Sequence, residues 1–416
     1  MSLATNLIDP TLIPQNSGPP HALFDDWRAN DPVHWNPPSE SYDCPMPNAS
    51  LRQGFWVLTR HQDVIDVSRN QALFSSHEGS AVIWDFEPKQ LAEQQAGLMA
   101  MKPADHLAVK RLVMPSFAPT ELDRFRPEID RVARAIIDSI AGNGSCEFVF
   151  DVASRLPVHT FCKLLGVPDE LRETVFKLGN ETADTERTDR QQGAIPAMYQ
   201  LFVIAQQLAE EKRKHPDDSM MSRLVHGEVD GEKIDEVNLQ MFFVTLSIAG
   251  HETTRSTAAH FVRLMNEHPD QYELLRSDVD AHLPNAVEEV LRHSPPVVKF
   301  RRTVMEDTEI GGRKVAKGDK IYLSYPAANR DPAVFEDPHR FDITRRNASR
   351  HLAFGSGAHF CLGARLARYQ LTALLKEMVA RIPDIRPDGE MEMLKSIWFN
   401  AIIRMPVAFT PESRSG

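Results

Sequence analysis

The sequence predicts a mainly α-helical protein with a smaller β-rich lobe, on three observations. Helical signals dominate from His106 to His226. The stretch between Asp235 and Pro269, nearly apolar in its first half, reads as one long, buried helix. Strand and hairpin signals sit at Gly54–Leu58 and after Phe300. The 416 residues can bury a sizeable core. They show no internal repeat, low-complexity tract or linker, so the expectation is one domain over 1–416 with an irregular arm over about 1–50.

Composition narrows the function. A formal net charge of −11 argues against nucleic acid as the main partner. Cys44, Cys146, Cys162 and Cys361 lack paired spacing, which points to a reducing compartment, the cytoplasm. The N-terminus has no basic region, apolar stretch or cleavage site, and no window approaches the length of a membrane span. A soluble protein without a membrane anchor is expected.

The elements follow in order. The arm is rich in Pro, Asn and Ser, with one short helix near Ala22–Arg28. Phe55–Leu58 alternates as a strand, and Asp63–Val67 reads as a short helix. Residues 76–100 lack periodicity yet carry Ile83, Trp84, Phe86 and Leu98, as a packed loop or a substrate lid does. Pro119 opens a helix, and Gly166-Val167-Pro168 stops another that runs through Val158–Leu165. Residues 179–193 are polar and read as a mobile connection; Pro216–Asp218 and Gly227–Gly231 are turns.

Asp235 can cap the long helix. Mid-helix comes Ala249-Gly250-His251-Glu252-Thr253-Thr254. An interior glycine costs about 1 kcal/mol relative to alanine. A small pair such as Ala249 and Gly250 lets a flat ligand approach the backbone. Thr253 can bond back to a carbonyl, and Glu252 adds an acid beside it. Glu289 and Arg292 form an (i, i+3) pair further on, and Gly311-Gly312 and Lys317-Gly318-Asp319 mark hairpin turns.

The stretch with the most chemistry is Phe354-Gly355-Ser356-Gly357-Ala358-His359-Phe360-Cys361-Leu362-Gly363, followed by an apolar helical run that Pro383 stops. Cys361 sits at the start of that helix, where unpaired N–H groups and the dipole favour thiolate. Such a sulfur suits a haem iron. A zinc site would want more than His359 beside it, and a phosphatase-type cysteine would want an arginine further along than Arg365. A structural cysteine is the usual fate of a lone Cys, and only the flanking pattern displaces that reading.

That pattern, with Leu366-Ala367-Arg368 after it, resembles the cytochrome P450 haem-thiolate monooxygenases. About seven specified residues at roughly one in twenty each make a chance match on the order of one in a billion per window. The resemblance runs over essentially the whole chain. It implies the P450 fold, a triangular helical prism with a sheet-rich lobe. It implies haem b on Cys361 as the metal ligand, with Phe354, Gly355, Gly363, Ala249 and Gly250 against the ring. It assigns the propionates to His106, Lys110, Arg302 and His359, where Lys110 stands in place of the family's arginine and offers a point charge instead of a fork. Thr253 and Glu252 become the oxygen-activating pair, and Glu289, Arg292 and Arg340 a structural triad.

The implied reaction is insertion of one oxygen atom from O2 into an unactivated C–H bond of a hydrophobic molecule, most simply a terpenoid or steroid. Fatty acids or other alkyl chains are the alternative substrates. Ile83, Trp84, Leu98, Leu246, Val297, Val298, Trp398 and Phe399 are the candidate pocket residues. No flavin or iron–sulfur segment is recognisable, so electrons are expected from a [2Fe-2S] ferredoxin and its NAD(P)H-dependent reductase. A basic patch of Arg111, Arg345, Arg346, Arg350, Arg365 and Arg368 would receive the ferredoxin. A peroxygenase or isomerase would lack the Glu252–Thr253 pair, and a non-catalytic haem sensor would need no electron donor.

Overall fold

The computed structural model describes residues 6–8, 18–38, 49–183, 191–229, 231–394 and 396–412. Residues 1–5, 9–17 and 39–48 of the expected arm, with Cys44, and the centre of the expected 179–193 connection lie outside the described residues.

The long helix is Glu236–Glu267, 32 residues, about 48 Å at 1.5 Å per residue. Asp235 caps it by accepting the Asn238 N–H at 2.7 Å, and Pro269 begins the next helix. Around it pack Arg155–Leu165, Arg172–Ala183, Gln191–Lys214, Val279–His293 and Ala364–Arg381. Its Phe242 and Phe243 enter one buried cluster, and its Phe261 and Leu264 another. Each such side chain contributes about 1.5–3 kcal/mol on burial. The long helix is therefore the axis of the helical part.

The β-rich part is a five-stranded sheet in the spatial order Val33–Asn36, Phe55–Leu58, Lys320–Ser324, Lys299–Val304, Phe74–Ser75. The Phe55–Leu58 and Lys320–Ser324 strands run parallel and the other neighbours antiparallel. Register sets Arg302 opposite Ile321 and Thr303 opposite Lys320. The hairpin Thr308–Ile310 to Arg313–Val315 turns at Gly311 and Gly312, both with positive φ, as a tight hairpin requires.

Residues 76–100 are more ordered than the sequence suggests. They hold the helix Pro88–Gln95, and Asp85–Phe86 pairs with Ala49–Ser50. Among the described residues no helix is long and apolar enough to cross a membrane.

Candidate active site

Between the long helix and the Cys361 loop lies an internal cavity. Cys361 lines it, and the thiol is accessible only in the sense that it faces this space. The loop is held by Cys361 N–H donating to Phe354 O at 2.9 Å. Gly357 has φ +72, and a Cβ there would stand 2.6 Å from Ser68 O, so only glycine fits. Burial pushes the Cys361 thiol above its usual range; the Gly363 N–H, Arg368, Lys110 and the Ala364 N–H act against it. The helix-start argument identified real donors, but in the protein alone desolvation outweighs them.

At one edge of the cavity His106, Lys110, Arg302 and His359 converge. The two imidazoles lie 4.2 Å apart, centroid to centroid. His359 Nε2 is 3.0 Å from Ser76 Oγ, and Lys110 Nζ donates to Ala358 O at 2.7 Å. Arg302 is buried; one nitrogen donates to Arg301 O, and its Nε has no partner. No carboxylate of a described residue neutralises this group. Desolvation, then Lys110 and Arg302, holds His106 down at about 4. Desolvation, then Arg302, His106 and Lys110, holds His359 down at about 2. Buried Arg302 with an orphaned N–H and half-buried Lys110, two cations without a counter-charge beside two neutral imidazoles, fit a ligand that brings its own carboxylates.

The opposite wall is one face of the long helix: Leu246, Ala249, Gly250, Thr253 and Thr257, at helical spacing. A Cβ on Gly250 would meet only Phe161 at 3.8 Å, leaving the backbone open to a flat group. Thr253 Oγ1 donates to Ala249 O at 2.8 Å. Glu252 sits one residue round the helix and does not line the cavity; it is fully buried, paired with Arg255, and accepts from Ser256 Oγ at 3.2 Å. His251 is buried with both ring nitrogens unpartnered, edge-on to Phe176, and desolvation followed by Arg255 keeps it neutral.

The family model for cytochrome P450 matches residues 190–383. The chain is 34% identical to a steroid C26-monooxygenase of Mycolicibacterium smegmatis, over 92% of this chain and 89% of that one. It is 31% identical to a linalool 8-monooxygenase of Pseudomonas putida, over 94% and 96%. A cytochrome P450 of Mycobacterium marinum in complex with pseudoionone superposes with a TM-score of 0.85 at 34% identity, covering 94% of each chain. The chain belongs to the cytochrome P450 family. It is a P450 monooxygenase, using haem iron and O2 with electrons from redox partner proteins.

In this P450 the scaffold beneath the Cys loop corrects one assignment. Glu289 and Arg292 are fully buried and pair through two bonds, 2.7 and 2.8 Å. The third member is Arg345, whose Nε is 3.2 Å from Glu289 Oε1, and not Arg340. The Arg340 side chain is exposed; its carbonyl accepts from Arg292 at 3.1 Å and from Arg345 at 2.9 Å. Arg345 consequently leaves the basic patch. Arg368 is tied to Glu288 and lies 4.5 Å over the Phe354 ring, whereas Arg111, Arg346, Arg350 and Arg365 are exposed.

The substrate walls also differ from expectation. Leu98, Leu246 and Val297 line the cavity. Ile83 and Trp84 do not: both are fully buried in a separate cluster with Phe24, Phe55 and Tyr322. Val298 points the other way from Val297, as alternation in extended chain demands, and joins that same cluster. Trp398 and Phe399 do not line the cavity either: Trp398 packs on Phe300, rings 6.2 Å apart, and Phe399 forms a backbone bridge with Val297. The sequence reading missed Ala81, Met99, Thr245, Thr257 and Phe300. Thr257 was findable, four residues after Thr253 on the same helical face; Ala81 carried no signal.

Proposed function

We propose that this P450 hydroxylates an unactivated C–H bond of a terpenoid or steroid on b-type haem. One observation carries the reading. A single cavity has Cys361 on its floor, unneutralised cations at its edge, Thr253 on its wall and apolar Leu98, Leu246, Val297 and Phe300 around the remainder. When bound, haem supplies O2 activation and transfer of one oxygen atom to carbon.

The residues divide the remaining work. Cys361 would hold the iron through sulfur, with the Gly363 and Ala364 N–H groups stabilising its charge. His106, Lys110, Arg302 and His359 would take the propionates. Phe354, Gly355 and Gly363 would bound one ring face, and Ala249 and Gly250 the other. Thr253 would exchange its bond to Ala249 O for a proton held at the pocket. Glu252, paired with Arg255 outside the cavity, would leave that partner, take up a proton from water and pass it on towards Thr253. The triad of Glu289, Arg292 and Arg345 holds the core and touches no substrate.

The electron donors on this reading are a [2Fe-2S] ferredoxin and an NAD(P)H-dependent reductase. Arg111, Arg346, Arg350 and Arg365 are exposed and would be the side chains that receive an acidic ferredoxin on an acidic chain. The compartment is the cytoplasm, and the chain is read as one P450 domain.

Spectral titration of the ferric protein with terpenoids, steroids and fatty acids tests the reading. A spin-state shift at micromolar terpenoid or steroid is expected. A shift with fatty acids alone replaces the substrate class by alkyl chains. Haem retained undiminished in Cys361→Ala refutes the ligand assignment.

A further inference from the structure

Residues 76–86, which lead into the helix Pro88–Gln95, are wound around one arginine. Arg301 is 5% exposed and precedes Arg302 on the sheet. Its backbone N–H donates to Ala81 O at 2.9 Å. Its Nη1 donates to Trp84 O at 3.0 Å, and its Nη2 to Thr303 Oγ1 at 3.3 Å. A Cβ at Gly79 would stand 2.0 Å from Nη2, so glycine at φ +73 is what lets the loop close on the guanidinium.

The neighbouring strand grips the same loop. Lys320 is fully buried, and its Nζ lies 2.6 Å from the Asp85 carboxylate. It also donates to Gln53 O at 3.2 Å and to Ile83 O at 3.5 Å. Asp85 Oδ1 is 3.9 Å from Arg301 Nη1, so two buried cations share one carboxylate. Burying charge is expensive, and these groups are tied together closely enough to bear it. Desolvation, then Arg301, holds Lys320 down at about 8 against the pull of Asp85.

Of residues 76–86, Ala81 alone lines the cavity; Ile83 and Trp84 turn into the separate core. The bonds to Arg301 and Lys320 fall at Ala81 itself and just after it, at Ile83, Trp84 and Asp85, while Gly79 packs against the guanidinium before it. Arg301 O accepts from Arg302 Nη1 at 2.8 Å, so the same residue also joins the loop to the cationic edge.

We propose that the Arg301–Asp85–Lys320 cluster is a positioning anchor that sets Ala81 as the loop's share of the substrate wall. The size of residue 81 and the integrity of the anchor then decide which hydrophobic molecules bind. The inference rests on the hydrophobic-substrate reading above.

The test uses the haem-loaded protein with linalool, pseudoionone and testosterone as probes. Lys320→Met keeps volume and removes one cation; it is expected to retain haem while the probe dissociation constant rises about tenfold, the equivalent of roughly 1.4 kcal/mol. Lys320→Arg is expected to restore most of that affinity. Ala81→Leu keeps the anchor and is expected to shift the testosterone-to-linalool ratio of dissociation constants about tenfold towards the smaller molecule. Native-like affinity in Lys320→Met, or haem lost in step with affinity, overturns the positioning role. An unchanged ratio in Ala81→Leu overturns the wall. If the native protein responds to none of the three probes, the substrate reading is what fails. Hydrogen exchange over residues 77–86 then decides the anchor: about tenfold faster in Lys320→Met supports it, and native rates overturn it.

Discussion

Two buried charge systems flank the Cys loop, and they are built in opposite ways. Glu289, Arg292 and Arg345 bring one carboxylate and two guanidinium groups together, and the carbonyls of Asn329, Glu336, Asp337, Pro338 and Arg340 take the remaining N–H groups. His106, Lys110, Arg302 and His359 bring cations and imidazoles together with no carboxylate, and leave Arg302 Nε orphaned. The first set is complete within the chain. The second is incomplete by itself and complete only around an anionic guest. Satisfied burial makes scaffold, and unsatisfied burial marks a site.

The largest effect should come from breaking the complete set. Arg345→Ala leaves Glu289 under-neutralised in the core, and a loss of about 3–5 kcal/mol in urea unfolding is expected. A loss below about 1 kcal/mol would erase the distinction between the two systems.

A neighbouring carboxylate offers a pH test of similar kind. Burial alone would raise Glu288, but Arg368, through contacts of 2.5 and 2.8 Å, holds it at about 2. His351 Nε2 lies 3.3 Å away without hydrogen-bond geometry, and burial depresses its own protonation, so Arg368 is the partner that counts. The folded value is below the ordinary 4.5, so the unfolded chain binds the proton more readily. The stabilisation is full above pH 4.5 and fades as pH falls towards 2, by at most about 3 kcal/mol. Glu288→Gln should flatten the variant's own pH profile, so that the native-minus-variant stability difference shrinks as pH falls from 4.5 towards 2 in acid–urea titrations.

Arg302→Met should separate the systems by sign. Haem retention is expected to fall about tenfold in transfer to apomyoglobin, while the haem-free protein becomes more stable by about 1–2 kcal/mol. A haem-free protein that is destabilised instead would place Arg302 with the scaffold. The smallest change is Arg340→Ala, expected within about 0.5 kcal/mol of native in the same urea assay, because its carbonyl and not its side chain serves the triad.

Legibility followed the range of the interaction. The capped helix from Asp235, the glycine turns at Gly166 and Gly311-Gly312, and the Cys361 loop are local, and each was written in a few adjacent residues. Thr253 and Glu252 are neighbours in sequence but point to different surroundings, a divergence that follows from 100° per residue yet acquires meaning only when the packing is known.

By itself, then, the sequence determined the helical frame, the family and the residue types available at the cavity, because local propensity and contiguous motifs need no partner. The tertiary structure decided three further matters. It chose Arg345 over Arg340, since the choice depends on how a turn returns to Glu289 from more than fifty residues away. It faced Val297 inwards and Val298 outwards through strand register. It brought Ala81 to the cavity and buried Trp84 in a loop bonded to Arg301 and Lys320, over two hundred residues distant in the chain, a pairing that no local pattern announces.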